Sequence, residues 1–195
     1  MNIALRFASA WPTPVYTRTV IIEETLRASL IQRVKSQLCA APRGLEQVGG
    51  QRTAPDLLTN ECYAISWLKD IIFEAVRNLY DSVGHTDSGL HMAEAWGVYT
   101  PEGAYHQPHT HHGSAWSGTL ILDFSPSSQI MESEAGALLL HDPRLALSGR
   151  FSRQPLAYSF PAVPGRLVAF PSWLVHSVTP LRAGQTCTLI AFNAR

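Results

Sequence analysis

The chain has 195 residues, 46% of them hydrophobic and 15% charged, the composition of a globular protein able to bury one sizeable core. Fifteen basic and fifteen acidic residues cancel to a formal charge of zero, so the electrostatic footprint of a nucleic-acid or membrane-surface binder is absent and a small neutral or zwitterionic substrate fits better. Cys39, Cys62 and Cys187 are odd in number and form no C-x-x-C pair, which argues against a disulfide framework and for reduced thiols in a cytoplasmic setting.

Met1 to Ala10 ends in an A-x-A-like triplet, but Arg6 interrupts its apolar run and no basic leader precedes it, so no signal peptide is expected. No stretch approaches the length of a membrane span. From Thr19 to Leu38, Ile21, Ile22, Leu26, Leu30, Ile31 and Val34 recur at helical spacing, with Glu23, Glu24, Arg27 and Arg33 between them. That predicts one amphipathic helix. Ala41 to Asn60, with Pro42, Gly44, Gly49, Gly50 and Pro55, reads as a long loop that could serve as a lid. A second helix is predicted from Glu61 to Ser82, its buried stripe marked by Ile65, Leu68, Ile71, Ile72, Ala75, Val76 and Leu79.

After Gly84 the helical period gives way to short apolar runs divided by turn residues. Ala93–Tyr99, Ala104–His111, Ser117–Phe124, Gly136–His141, Leu156–Phe160, Arg166–Phe170, His176–Thr179 and Thr186–Phe192 are the strand candidates. The expected fold is mainly β with N-terminal helices, the core a double-stranded β-helix of jelly-roll or cupin-like form. One domain covers 1–195, with 1–83 as a helical support region and 84–195 as the jelly roll.

Two histidine blocks carry the chemistry: Gly103-Ala-Tyr-His-Gln-Pro-His109-Thr-His111 and Gly165-Arg-Leu-Val-Ala-Phe-Pro171-Ser-Trp-Leu-Val-His176. On an extended strand His109 and His111 point to one face and can reach one ion, with His176 closing the set from a distant strand. Three imidazoles leave coordination positions open for water, oxygen or substrate. His106 and His112 fall on the opposite face of an extended segment, and His85, His91 and His141 read as ordinary structural histidines.

The chain resembles the iron(II)/2-oxoglutarate-dependent oxygenase superfamily, in particular a group of small bacterial and phage members. The resemblance begins at Phe7 to Tyr16, where Trp11-Pro-Thr-Pro-Val-Tyr16 is similar to the group's opening strand, and runs through Trp96, Gly103, His109-Thr-His111, Ser117-Gly118 and Gly136-Ala-Leu-Leu-Leu-His-Asp142-Pro143-Arg144. It continues through Phe170-Pro-Ser-Trp173-Leu-Val-His176 and ends at Phe192-Asn193. It implies iron(II) on His109, His111 and His176, 2-oxoglutarate as cosubstrate, O2 as oxidant, and hydroxylation of a small molecule or a peptide side chain. The protein would act without nucleic acid or membrane partners, and a homodimer is one assembly open to it.

The chain departs from the superfamily pattern twice. His111 stands where a carboxylate ligand is usual, which leaves the site more positive by one charge. Cys187 stands where an arginine on the last strand usually pairs with the far carboxylate of 2-oxoglutarate, and a thiol cannot replace a guanidinium there. Arg144 is the candidate substitute, with Tyr105, Tyr99, Thr186 and Thr188 as further hydrogen-bonding groups. Trp116 and Asn193 are candidate substrate contacts. The same letters admit a three-histidine cupin-type dioxygenase independent of 2-oxoglutarate, and also a non-catalytic cupin-like protein holding a structural zinc ion.

Overall fold

The computed structural model describes residues 12–38, 46–59, 61–85, 92–125, 134–144 and 156–195. Phe7 to Trp11 of the N-terminal match, Cys39, His91 and positions 41–45 and 60 of the predicted loop lie outside the described residues. Strands β1 (Tyr16–Thr19), β9 (Arg166–Pro171), β6 (Trp116–Ser125), β11 (Thr186–Ala194), β4 (Met92–Thr100) and β3 (Gln51–Arg52) form one sheet in that order. The second sheet is β2 (Gln47–Val48), β5 (Tyr105–His109), β10 (His176–Val178), β7 (Leu138–His141) and β8 (Ala157–Phe160). Every strand pairing is antiparallel. All eight predicted strands are present, and two facing antiparallel sheets with these crossovers make the expected double-stranded β-helix.

Alternation divides the larger sheet into a helix-facing and a cavity-facing side. Leu167 and Ala169 of β9, Leu120 of β6 and Ile190 and Phe192 of β11 join a core with Leu26, Leu30 and Val34 of α1 (Glu24–Gln37) and Ile65, Leu68, Ile72 and Val76 of α2 (Tyr63–Ser82). Val168 and Phe170 of β9, Ile121 of β6 and Leu189 of β11 face the other way, into the space between the sheets. Gly97 permits the closest helix contact, because a Cβ there would stand 2.4 Å from Val34 Cγ2 of α1.

Helix α1 starts later than its apolar period suggests. Residues 16–19 pair with β9, Val20 donates from its backbone N–H to the Gly165 carbonyl at 2.7 Å, and Ile21 is left 95% exposed. Glu23 then caps α1 by accepting from the Thr25 and Leu26 backbone N–H groups. The predicted loop also differs from expectation. Within its described residues, β2 adds to β5 and β3 adds to β4, so this part of the stretch lays short edge strands on both sheets.

Candidate metal and cosubstrate site

The structure brings together the three histidines that the sequence marks. Their ligand atoms all lie within 4.8 Å of one another, close enough for one ion to bridge. His109 and His176 are direct cross-strand partners on β5 and β10, with ring centroids 4.2 Å apart. His111 reaches the set by a different route from the one expected. Strand β5 ends at His109, and His111 sits beyond it, its backbone N–H donating to the Ser172 carbonyl at 2.9 Å. The Phe-Pro-Ser-Trp block therefore positions a residue of the other motif.

A hydrogen-bonded chain extends that support. Ser117 donates to Asn193 Oδ1 at 2.7 Å, which uses its only hydroxyl hydrogen, so the 2.7 Å contact with Ser172 has Ser172 as donor. Asn193 Nδ2 in turn donates to Glu94 Oε1 at 2.8 Å. Asn193 is thus held at both ends of its amide by the protein itself. Sequence reasoning missed Ser172 and Glu94, because single polar residues on separate strands carry no spacing signal.

The electronic state of the imidazoles suits ligation. His109 Nδ1–H donates to the Gln107 carbonyl at 2.7 Å and His176 Nδ1–H to the Leu174 carbonyl at 2.9 Å, a pairing that assigns the proton to Nδ1 and leaves the Nε2 lone pair for an ion. Burial, reinforced by neighbouring His109, pulls His176 down to about 3 and His111 to about 4. Both are neutral at pH 7. His106 is likewise pulled down to about 4, again by burial first. It was expected on the opposite face, but the register shift between His176 and Val178 places His106 opposite Val178 and turns it into the cavity.

These directions fix a pH dependence. Between about 4 and the ordinary value of 6.5 the unfolded chain binds protons that the folded histidines refuse, so their contribution to stability is complete above 6.5 and declines as pH falls toward 4. The chelator-treated protein is expected to unfold at lower urea concentration at pH 5 than at pH 7.5. His106→Gln, which removes one of the groups without touching the three candidate ligands, should flatten that decline, and an unchanged or rising midpoint at pH 5 would contradict the assignment.

The cavity around the histidines is lined by Trp96, His106, Phe170, Val178, Leu189 and Ala191 among others, with Glu46 at its edge. Not every predicted site residue reaches it. Trp116, 6% exposed, lies in the core shared with the helices and packs edge-on against Tyr80 of α2, so it does not form a cavity wall. Arg144 is exposed and forms a bidentate ion pair with Asp142, both contacts at 2.9 Å, which lowers the Asp142 carboxyl and satisfies the guanidinium at the surface. Thr188 pairs with Asp123 and Tyr99 and alternates to the helix-facing side, while Tyr105 is half-buried opposite Val48 and is not among the cavity residues.

Comparison with known proteins supplies the chemical context. Residues 94–193, just over half of the chain, match the family model described as "Putative 2OG-Fe(II) oxygenase". No curated protein sequence matches the chain. Among solved structures, a Pseudomonas putida prolyl-4-hydroxylase is similar over 94% of this chain and 93% of its own, at 18% identity and a TM-score of 0.60. A Trichoplax adhaerens prolyl hydroxylase, solved with a hypoxia-inducible-factor peptide fragment, covers 92% of this chain and 82% of its own at 15% identity and a TM-score of 0.62. HygX from Streptomyces hygroscopicus, solved with nickel, 2-oxoglutarate and hygromycin B, covers 93% and 82% at 11% identity and a TM-score of 0.60. At these identities the structures establish the fold, and the family match establishes the enzyme class.

Proposed function

Because the chain belongs to the 2OG-Fe(II) oxygenases, we propose that His109, His111 and His176 hold the iron and that the cavity between the two sheets receives 2-oxoglutarate and a small-molecule or peptide-side-chain substrate. The observation that carries this reading is the convergence of three imidazoles, two of them with Nε2 freed by backbone acceptors on Nδ1. Family membership also favours it over a cupin-type dioxygenase or a structural zinc protein.

Held there, iron(II) with 2-oxoglutarate would supply oxygen activation, one oxygen atom ending in the succinate that forms together with CO2 and the other in the hydroxylated substrate. The chain's own residues prepare the site. The backbone acceptors on His109 and His176 fix ring orientation, and the Ser172 carbonyl fixes His111. Phe170, Leu138, Val178 and Leu189 form apolar walls that exclude water from the reacting centre. His111 in place of a carboxylate leaves the bound metal with one more positive charge, which favours an anionic cosubstrate.

The substrate side is read from what the cavity offers. Its lining includes Trp96, whose ring centroid is 5.8 Å from that of His111, together with His106 and Glu46. Apolar and aromatic lining with a few polar groups suits a compact organic group. Among the described residues no helix is long and apolar enough to cross a membrane. We read the setting as cytoplasmic, in keeping with the free thiols of Cys62 and Cys187.

Iron-loaded protein incubated with 2-oxoglutarate and O2 in the absence of substrate is expected to form succinate slowly and in step with 2-oxoglutarate loss. Succinate formation that neither requires iron nor stops when His176 is replaced would overturn the reading.

A further inference from the structure

Strand β11 poses a charge problem for the cosubstrate. Its cavity-side residues are Cys187, Leu189 and Ala191, and the Cys187 thiol lies among Phe124, Ala162, Leu181 and Leu189, where burial pushes it up to about 12. A carboxylate set against that wall would be buried without a counter-charge, an arrangement proteins avoid. Arg144 does not reach the cavity, since its guanidinium is spent on Asp142 at the surface.

Strand β9 offers the missing charge. Arg166, Val168 and Phe170 share its cavity face by alternation, and the Phe170 ring centroid is 4.7 Å from that of His176. Arg166 lines an inner chamber with Ile121, Phe160 and Pro161, and Thr119, Leu138, Val178 and Leu189 line both this chamber and the histidine cavity. The two spaces are therefore neighbours that share these walls. We propose that Arg166 is the cation that receives the carboxylate of 2-oxoglutarate remote from its keto-acid end, supplying from β9 what Cys187 does not supply from β11.

Reach and valence both fit. Four strand steps lead from Phe170 to Arg166, about 13 Å at the usual rise. An extended arginine side chain is about 6–7 Å long and a five-carbon dicarboxylate about the same at roughly 1.5 Å per bond, so the two together match that span when the side chain leans toward Phe170. The guanidinium is half-buried and donates through Nη1 to the Pro161 carbonyl at 3.1 Å. Among the described residues it has no ion-pair partner, and its Nε and Nη2 groups remain for a bidentate contact. Arg52 also stands beside the cavity, opposite Val98, but it is paired with Glu46 at 3.5 Å.

The inference rests on the oxygenase reading of the histidine site, and one calorimetric experiment separates the two. Anaerobic, iron(II)-loaded protein is titrated with 2-oxoglutarate and with 2-oxopentanoate, which keeps the keto acid and replaces the far carboxylate by a methyl group. The wild type should prefer 2-oxoglutarate by about 30-fold or more, the size of a charged hydrogen-bonded contact. Arg166→Gln should bring that preference to within about threefold with affinity for 2-oxopentanoate unchanged, and Arg52→Gln should keep it. Wild type that binds neither keto acid overturns the site reading itself. Arg166→Gln that keeps the preference, or Arg52→Gln that alone loses it, overturns the assignment to Arg166. Should Arg166→Gln not fold, Arg166→Met keeps much of the side-chain length without the charge and should remove the preference likewise, and an unchanged preference there overturns the proposal equally.

Discussion

His176→Ala is expected to leave the protein folded and unable to retain iron(II). His176 is buried at the meeting of β10 with β5 and β7, and its ring lies between those of His109, His111 and Phe170. Truncation removes one of three candidate ligands, which leaves a two-imidazole site with weak hold on a hard-to-intermediate cation. In the metal-free protein truncation forfeits the packing of a buried ring and its hydrogen bond to the Leu174 carbonyl, about 1–3 kcal/mol, while metal affinity falls by several orders of magnitude. Equilibrium dialysis against iron(II) measures the loss, and thermal unfolding with and without metal separates it from misfolding. His109→Ala should behave alike. His141→Ala should retain full binding, because His141 lies on the outer face of the smaller sheet and contacts Ser177 Oγ at 2.9 Å. A His176→Ala protein that binds iron with wild-type stoichiometry would remove the basis of the site.

The largest stability effect is expected at a residue far from the histidines. Gly165 has φ +83°, a conformation that costs any residue with a Cβ, and a Cβ there would stand 2.2 Å from the Val20 carbonyl oxygen. Backbone faces backbone at this point: the Val20 N–H donates to the Gly165 carbonyl, and the Gly165 N–H donates to the Ile121 carbonyl at 2.8 Å. Neither side can move without unzipping β1 from β9 or β9 from β6. Gly165→Ala should therefore destabilise by about 2–4 kcal/mol, combining left-handed strain with a clash that relaxation only partly relieves. Gly84→Ala is the matched control, because Gly84 has φ +72° but nothing near its would-be Cβ, and it should lose only the strain component. Equal urea midpoints for the two variants would show that the clash contributes nothing.

The strands were legible because a jelly roll that buries both sheets writes its pattern locally. Strand β9 reads Arg-Leu-Val-Ala-Phe-Pro with nearly every position buried, and β6 and β11 are similar. The histidine triad was legible from the close spacing of His109 and His111 and the distant third imidazole, although only His109 of the pair is strand-borne and His111 lies just past the end of β5. The N-terminal edge was not. Gln47-Val48 and Gln51-Arg52 are too short and too polar to show a period, and they become strands only because β5 and β4 present open edges to them. Helix α1 was read five residues too early because Ile21 and Ile22 fit its period, whereas the pairing of Tyr16–Thr19 with β9 claims the backbone first.

Two site residues were misplaced for reasons of face. Trp116 begins β6 next to Ser117, and a shift of one position along a strand is the difference between cavity and helix layer: Ser117 lines the cavity, Trp116 packs on Tyr80. His106 went the other way through the irregular register of β5 against β10, which no periodicity rule could reveal around Pro108. Arg166 carried a signal that alternation alone provides: it is the charged residue on the same face as Val168 and Phe170 in a strand that is otherwise apolar.

The central claim is that three imidazoles hold iron(II) in a cavity open to a keto acid. Its most direct test is an anaerobic titration of iron(II)-loaded protein with 2-oxoglutarate, followed by visible absorption. Chelation of the iron through the keto-acid end should produce a saturable metal-to-ligand charge-transfer band, absent in His109→Ala and His176→Ala. Stoichiometric iron binding with no band at saturating 2-oxoglutarate would contradict the account.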